Sequence, residues 1–98
     1  MLMSPLKKKK LEIIRKKLDK LDDSLIKIIK KRTNLVKEVL KLKEKKSEIV
    51  DKQRINKILE NIKKKSIRNK IDPKITKKIW FNMIYAYINF ERRNFKKK

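Results

Sequence analysis

Arg15, Arg32 and Lys43 are cations at separations suited to gripping a small anion, in a chain with no histidine and no cysteine. The missing residue types exclude disulfides, thiol nucleophiles, imidazole bases and the usual zinc sites together. Any chemistry must run on Arg, Lys, Asp, Glu and Tyr. On a helix, Lys43 stands about three turns beyond Arg32, so the two project from one face with ~16 Å between their Cα atoms, and both can reach one ligand lying between them. Arg15 precedes Arg32 by ~25 Å along the axis and lies about 100° round it, out of reach of that ligand in the same chain. An antiparallel second copy of the helix would bring its own Arg15 back to the Arg32 region. By itself this triplet proves little, because a chain so rich in Lys and Arg produces such sets by chance on a solvated face.

Arg32 is singular for another reason. Apolar residues recur at Leu11, Ile14, Leu18, Leu21, Leu25, Ile28, Leu35, Val39 and Leu42 in steps of three and four, and Arg32 occupies the one place where that seam is broken. A cation buried in a seam costs several kcal/mol of desolvation unless an anion meets it. Two plainer readings stand beside a missing anion: a slight rotation that turns Ile29 and Val36 inward, or a guanidinium that snorkels to water over its apolar stem.

The elements that must position these residues follow from the same pattern. Helix 1 is predicted from residue 6 to 46, long enough to call for a second chain to pack against, and helix 2 over 52–67 behind an Asp51 cap. Asp72 and Pro73 mark the start of helix 3 over 73–94, since Asp caps free N–H groups and Pro is pre-set for the first helical position. Ile75, Ile79, Trp80, Met83, Ile84, Tyr87, Ile88 and Phe90 give helix 3 a wide apolar face, and Glu91 falls on that side, four residues after Tyr87. A strand for "IWFNMIYAYINF" would have nothing to pair with. The prediction is an all-α, three-helix domain spanning 1–98, self-associating as a dimer because so short a chain buries only a thin core alone, with basic ends that fray.

Composition bounds the function. The 33 Lys and Arg against 11 Asp and Glu give a net charge of +22, which ordinarily suggests nucleic acid or an anionic membrane. The absence of Gly and the excess of Lys, Ile and Asn instead suggest biased codon supply filling tolerant surface positions. All six aromatics, Trp80, Phe81, Tyr85, Tyr87, Phe90 and Phe95, lie at the C-terminal end, away from most basic stretches, which disfavours a base-stacking nucleic-acid site. The N-terminus lacks an apolar signal region and no stretch is long enough for a membrane span, so a cytoplasmic protein without membrane, metal or cofactor is expected.

Several short motifs occur in one order: "L-x-x-x-R-x-x-L-D-x-L-D" around Arg15, "K-R-x-x-L-V-x-x-V-x-x-x-K" from Arg32 to Lys43, "V-D-x-x-R" ending at Arg54, then "IDPKI" and "MIYAYINFE". Together they resemble the all-helical AroQ-type chorismate mutases over roughly residues 10 to 92. The resemblance implies an intertwined helical homodimer that converts chorismate to prephenate, with two sites, each completed by an Arg from the other chain. It places Arg32 and the other chain's Arg15 on the two carboxylates of chorismate, Lys43 on a carboxylate and the ether oxygen, the backbone near Asp51 on the ring hydroxyl, and Arg54 in support. Glu91 falls beside the ether oxygen. The rearrangement is pericyclic and needs neither nucleophile nor general base, so holding the diaxial conformer and stabilising charge on the breaking ether oxygen suffice. Lys43 and a protonated Glu91 suit that task.

The sequence departs from the mutase pattern at two substrate-binding positions. Ile55 stands where Glu is usual, and Tyr87 where a small Ser is usual; both features also resemble the isochorismate pyruvate lyase branch of the fold. Ile55 otherwise begins the apolar stripe of helix 2, and Tyr87 otherwise fills core. Outside enzymes, a basic helical module holding nucleic acid through phosphates and a ligand-free coiled coil are the alternatives.

Overall fold

Ser4 accepts the N–H of Lys7 on its hydroxyl at 3.3 Å just ahead of Pro5, and this cap followed by a proline at the first helical position starts α1, Pro5–Leu42. The structure is a computed structural model that describes residues 4–96; the fraying expected of residues 1–3 and 97–98 lies outside the described residues. α2, Lys52–Arg68, begins at Asp51, whose carboxylate accepts the N–H of Arg54 at 3.0 Å. α3, Pro73–Asn94, begins the same way, with Asp72 accepting the N–H of Lys74 at 2.9 Å. The chain is all-α, with no strand among the described residues, and the aromatic run lies wholly within α3.

Helix 1 ends four residues earlier than the sequence predicts, at Leu42 instead of residue 46. The cause is Glu48. Its Oε1 accepts the N–H groups of Glu44 at 3.2 Å and Lys45 at 2.9 Å, donors that a continuing helix would need for the carbonyls four residues back. A single 3₁₀ turn, Lys46–Glu48, follows.

α2 ends in a left-handed turn. The N–H of Ile71 bonds the Ser66 carbonyl at 2.9 Å and the N–H of Lys70 bonds that of Ile67 at 3.1 Å, the paired bonds of a Schellman motif. Its left-handed residue is Lys70, at φ 57°. Glycine usually fills that place, because a Cβ there crowds the backbone.

Two compact units divide the chain, Met1–Leu35 and Val36–Lys98. In the second, α2 packs on α3 around the buried Ile49, Ile84 and Ile88, with Val50, Ile55, Ile58, Leu59 and Phe95 against them. Near the hairpin turn two buried hydroxyls meet: Ser66 Oγ lies 2.6 Å from Thr76 Oγ1, while Ser66 Oγ also donates to the Ile62 carbonyl at 2.6 Å. α1 contributes no buried residue. Along its seam Leu21 is 65% exposed, Leu25 52% and Leu35 61%.

Candidate active site

Glu91 is 5% exposed, on the side of α3 that also buries Ile84 and Ile88. A carboxylate so placed needs a partner, and it has one: Lys43 Nζ lies 2.8 Å from Glu91 Oε1. Lys43 reaches it because α1 has already ended; the last turn closes with the N–H of Lys43 on the Leu40 carbonyl at 3.2 Å, and the side chain leaves from irregular backbone. Its Nζ also lies 3.5 Å from the Ile49 carbonyl. An ammonium has three N–H groups, so one is left for a ligand oxygen. Removing either member of so buried a pair strands the other, at a cost of about 3–5 kcal/mol.

Asp51 shares a cleft with Lys43. Its lining is Lys43, Glu48, Val50, Asp51, Lys52 and Gln53, and its volume is about 490 Å³, within the range that takes a small metabolite. The Asp51 carboxylate is committed to capping α2, which fixes the backbone at that corner. Arg54 is exposed one turn into α2, and Ile55 beside it is half-buried against the core. That packing accounts for an apolar residue at 55 without reference to a ligand. Tyr87 is half-buried one turn before Glu91.

The structure thus joins Lys43 directly to Glu91 and sets Asp51 on the same cleft as Lys43. Arg15 and Arg32 belong to the first unit, where Arg15 is exposed and Arg32 half-buried on α1. Their separation on one helix is ~25 Å, so one copy of α1 does not bring them together. Glu48, Val50, Lys52 and Gln53 of the cleft were not among the site residues read from the sequence, and of these four only Glu48 is acidic. Its only signal was an acidic side chain three and four residues after two N–H groups in a basic run. Among the described residues no group of His, Cys, Asp and Glu could hold a metal ion, and no helix is long and apolar enough to cross a membrane.

Residues 14–92 match the family model of chorismate mutase type II, a match that takes in Arg15, Arg32, Lys43, Asp51, Arg54 and Glu91. The chain belongs to the chorismate mutase type II family. No curated protein and no solved structure matches it. Chorismate mutases are isomerases that turn chorismate into prephenate, and this is the activity of the chain. A mutase needs no acid, base or nucleophile from the residue types this sequence lacks. What it needs is a set of fixed hydrogen-bond donors at the atoms where charge develops; the fold holds the Lys43 ammonium in place against Glu91.

Proposed function

We propose that this chorismate mutase works as an intertwined homodimer whose two sites are each shared between chains. Arg32 and Arg15 of the partner subunit hold the two carboxylates of chorismate. Lys43 bridges a carboxylate and the ether oxygen, the backbone at Asp51 meets the ring hydroxyl, and Arg54 supports that side. Ile55 and Tyr87 flank the ring. Glu91, when protonated, donates its O–H to the ether oxygen as the C–O bond breaks, so two donors meet the charge that appears there. In this reading the product prephenate enters aromatic amino-acid biosynthesis in the cytoplasm.

The observation that carries the assignment is the buried pair at 2.8 Å between Lys43 and Glu91, two residues 48 apart in sequence that the ether-oxygen role requires to be neighbours. The exposed seam of α1 supports the dimer, because Leu18, Leu21, Leu25 and Leu35 are all more than half exposed in one chain and only a further helix at that spacing would cover them.

Separate incubation with chorismate and with isochorismate tests the reading. Prephenate from chorismate, with no salicylate or pyruvate from isochorismate, is expected. Salicylate and pyruvate from isochorismate with no prephenate from chorismate would overturn it and assign the chain to the lyase branch.

A further inference from the structure

We propose that Glu48 is a positioning residue for catalysis, acting through Lys43. This rests on the assignment of Lys43 to the site. Lys43 is the first residue after α1, where the helical ladder no longer fixes the backbone. Two contacts hold its ammonium, Glu91 Oε1 at 2.8 Å and the Ile49 carbonyl at 3.5 Å. Both are contacts of the side-chain tip, and they hold the tip only if the backbone beneath stays still.

Glu48 supplies that anchorage. Its Oε1 ties together the N–H groups of Glu44 and Lys45, the two residues immediately after Lys43. The next residue, Ile49, is 4% exposed in the core and itself provides the carbonyl facing Lys43. The segment 43–49 is therefore closed at both ends, by Glu48 onto its start and by Ile49 into the hydrophobic core. Glu48 also lines the cleft that holds Lys43 and Asp51. A carboxylate there would repel a dianionic substrate were it not turned onto two backbone donors, where the hydrogen bonds are charge-assisted.

Without this clamp the donors of Glu44 and Lys45 are free to bond the carbonyls four residues back, α1 can wind on past Leu42, and Lys43 changes place. A misplacement of about 1 Å in a charge-stabilising donor can cost up to a hundredfold in rate. An exposed clamp, replaced in part by water, warrants about tenfold. The loss falls on kcat more than KM, because the ether oxygen gains its charge only in the transition state.

The test is steady-state kinetics with chorismate on Glu48→Ala, Glu48→Gln, Lys43→Ala and the double variant Glu48→Ala/Lys43→Ala, each checked for helix content. Glu48→Ala is expected to lower kcat about tenfold with a smaller change in KM, and Glu48→Gln to restore it, since an amide oxygen accepts the same two N–H groups. The double variant should be no slower than Lys43→Ala alone. Wild-type kcat in Glu48→Ala beside an inactive Lys43→Ala would overturn the positioning role alone, as would a Gln variant as slow as the Ala one or additive losses in the double variant. An active Lys43→Ala would overturn the site assignment beneath it. If Glu48→Ala does not fold, Glu48→Asp, which keeps the charge but is one methylene too short to span both donors, must show the kcat loss for the role to stand.

Discussion

Replacing Leu21 by Ala should weaken the proposed dimer far more than it disturbs the chain. Leu21 lies in the seam of α1 and is 65% exposed in a single chain. Complete burial of a leucine is worth about 1.5–3 kcal/mol. The exposed share leaves roughly 1–2 kcal/mol to be gained when a second helix covers it. A twofold dimer carries the residue twice, so the substitution removes about 2–4 kcal/mol from association and raises the dimer dissociation constant about 30- to 1,000-fold. Sedimentation velocity over a wide concentration range measures this directly, with circular dichroism at the highest concentration to show the helices are retained. The neighbouring Lys20→Ala, a solvated surface change, should leave the constant within about threefold. A wild-type chain that stays monomeric throughout, or a Leu21→Ala dimer as tight as wild type, would refute the role given to the seam.

Arg15→Ala and Arg32→Ala proteins should each be inactive, yet regain part of the activity when mixed, unfolded and refolded together, because some heterodimers assemble one intact site; no recovery from mixed dimers would place both arginines elsewhere. Glu91→Ala should lower kcat on chorismate, whereas Glu91→Gln, which always offers an N–H, should retain most of the activity. A Glu91→Ala protein as fast as wild type would remove Glu91 from the ether oxygen. Lys70→Gly should stabilise the chain by about 0.5–1 kcal/mol, since the left-handed conformation costs Lys about 1–2 kcal/mol and the added freedom of Gly in the unfolded chain returns part of that. Urea midpoints at fixed protein concentration would show it, and a lowered midpoint would contradict the observed φ of 57°.

The residues that announced themselves in the sequence are those whose chemistry is local. Asp51 and the Asp72–Pro73 pair mark helix starts because capping needs only the next two or three N–H groups, and both caps are present. Glu91 was visible as a charge at helical spacing on an apolar face, and its burial follows from that face. The end of α1 was not visible, because a glutamate three to four residues ahead competes with the backbone through a contact that periodicity does not register. The turn at Lys70 was hidden for a simpler reason: a chain without Gly has lost the usual marker of a left-handed residue. Nor could the apolar pattern of α3 separate inner from outer residues. Ile84 and Ile88 are buried, but Ile75 and Ile79 are 55% and 53% exposed, since the stripe is wider than the one helix α2 can cover.

The hydroxyl pair of Ser66 and Thr76 governs something at the far end of the hairpin. Sliding α3 along α2 by one turn would shift it about 5.4 Å, and apolar side chains alone resist such a slip weakly, because one leucine-like surface fits another nearly as well. The hydroxyls do not tolerate it. Each would lose its mate and keep only its bond to a carbonyl of its own helix, Ile62 for Ser66 and Pro73 for Thr76, and the lost hydrogen bond is worth about 0.5–1.5 kcal/mol. They act as a key that favours one alignment of the two helices. Glu91 lies fifteen residues along α3 from Thr76, ~22 Å away, and the same 5.4 Å slip would carry it out of reach of Lys43. The alignment of the charges at one end is thus reinforced by two uncharged side chains at the other, neither of which lies near that pair.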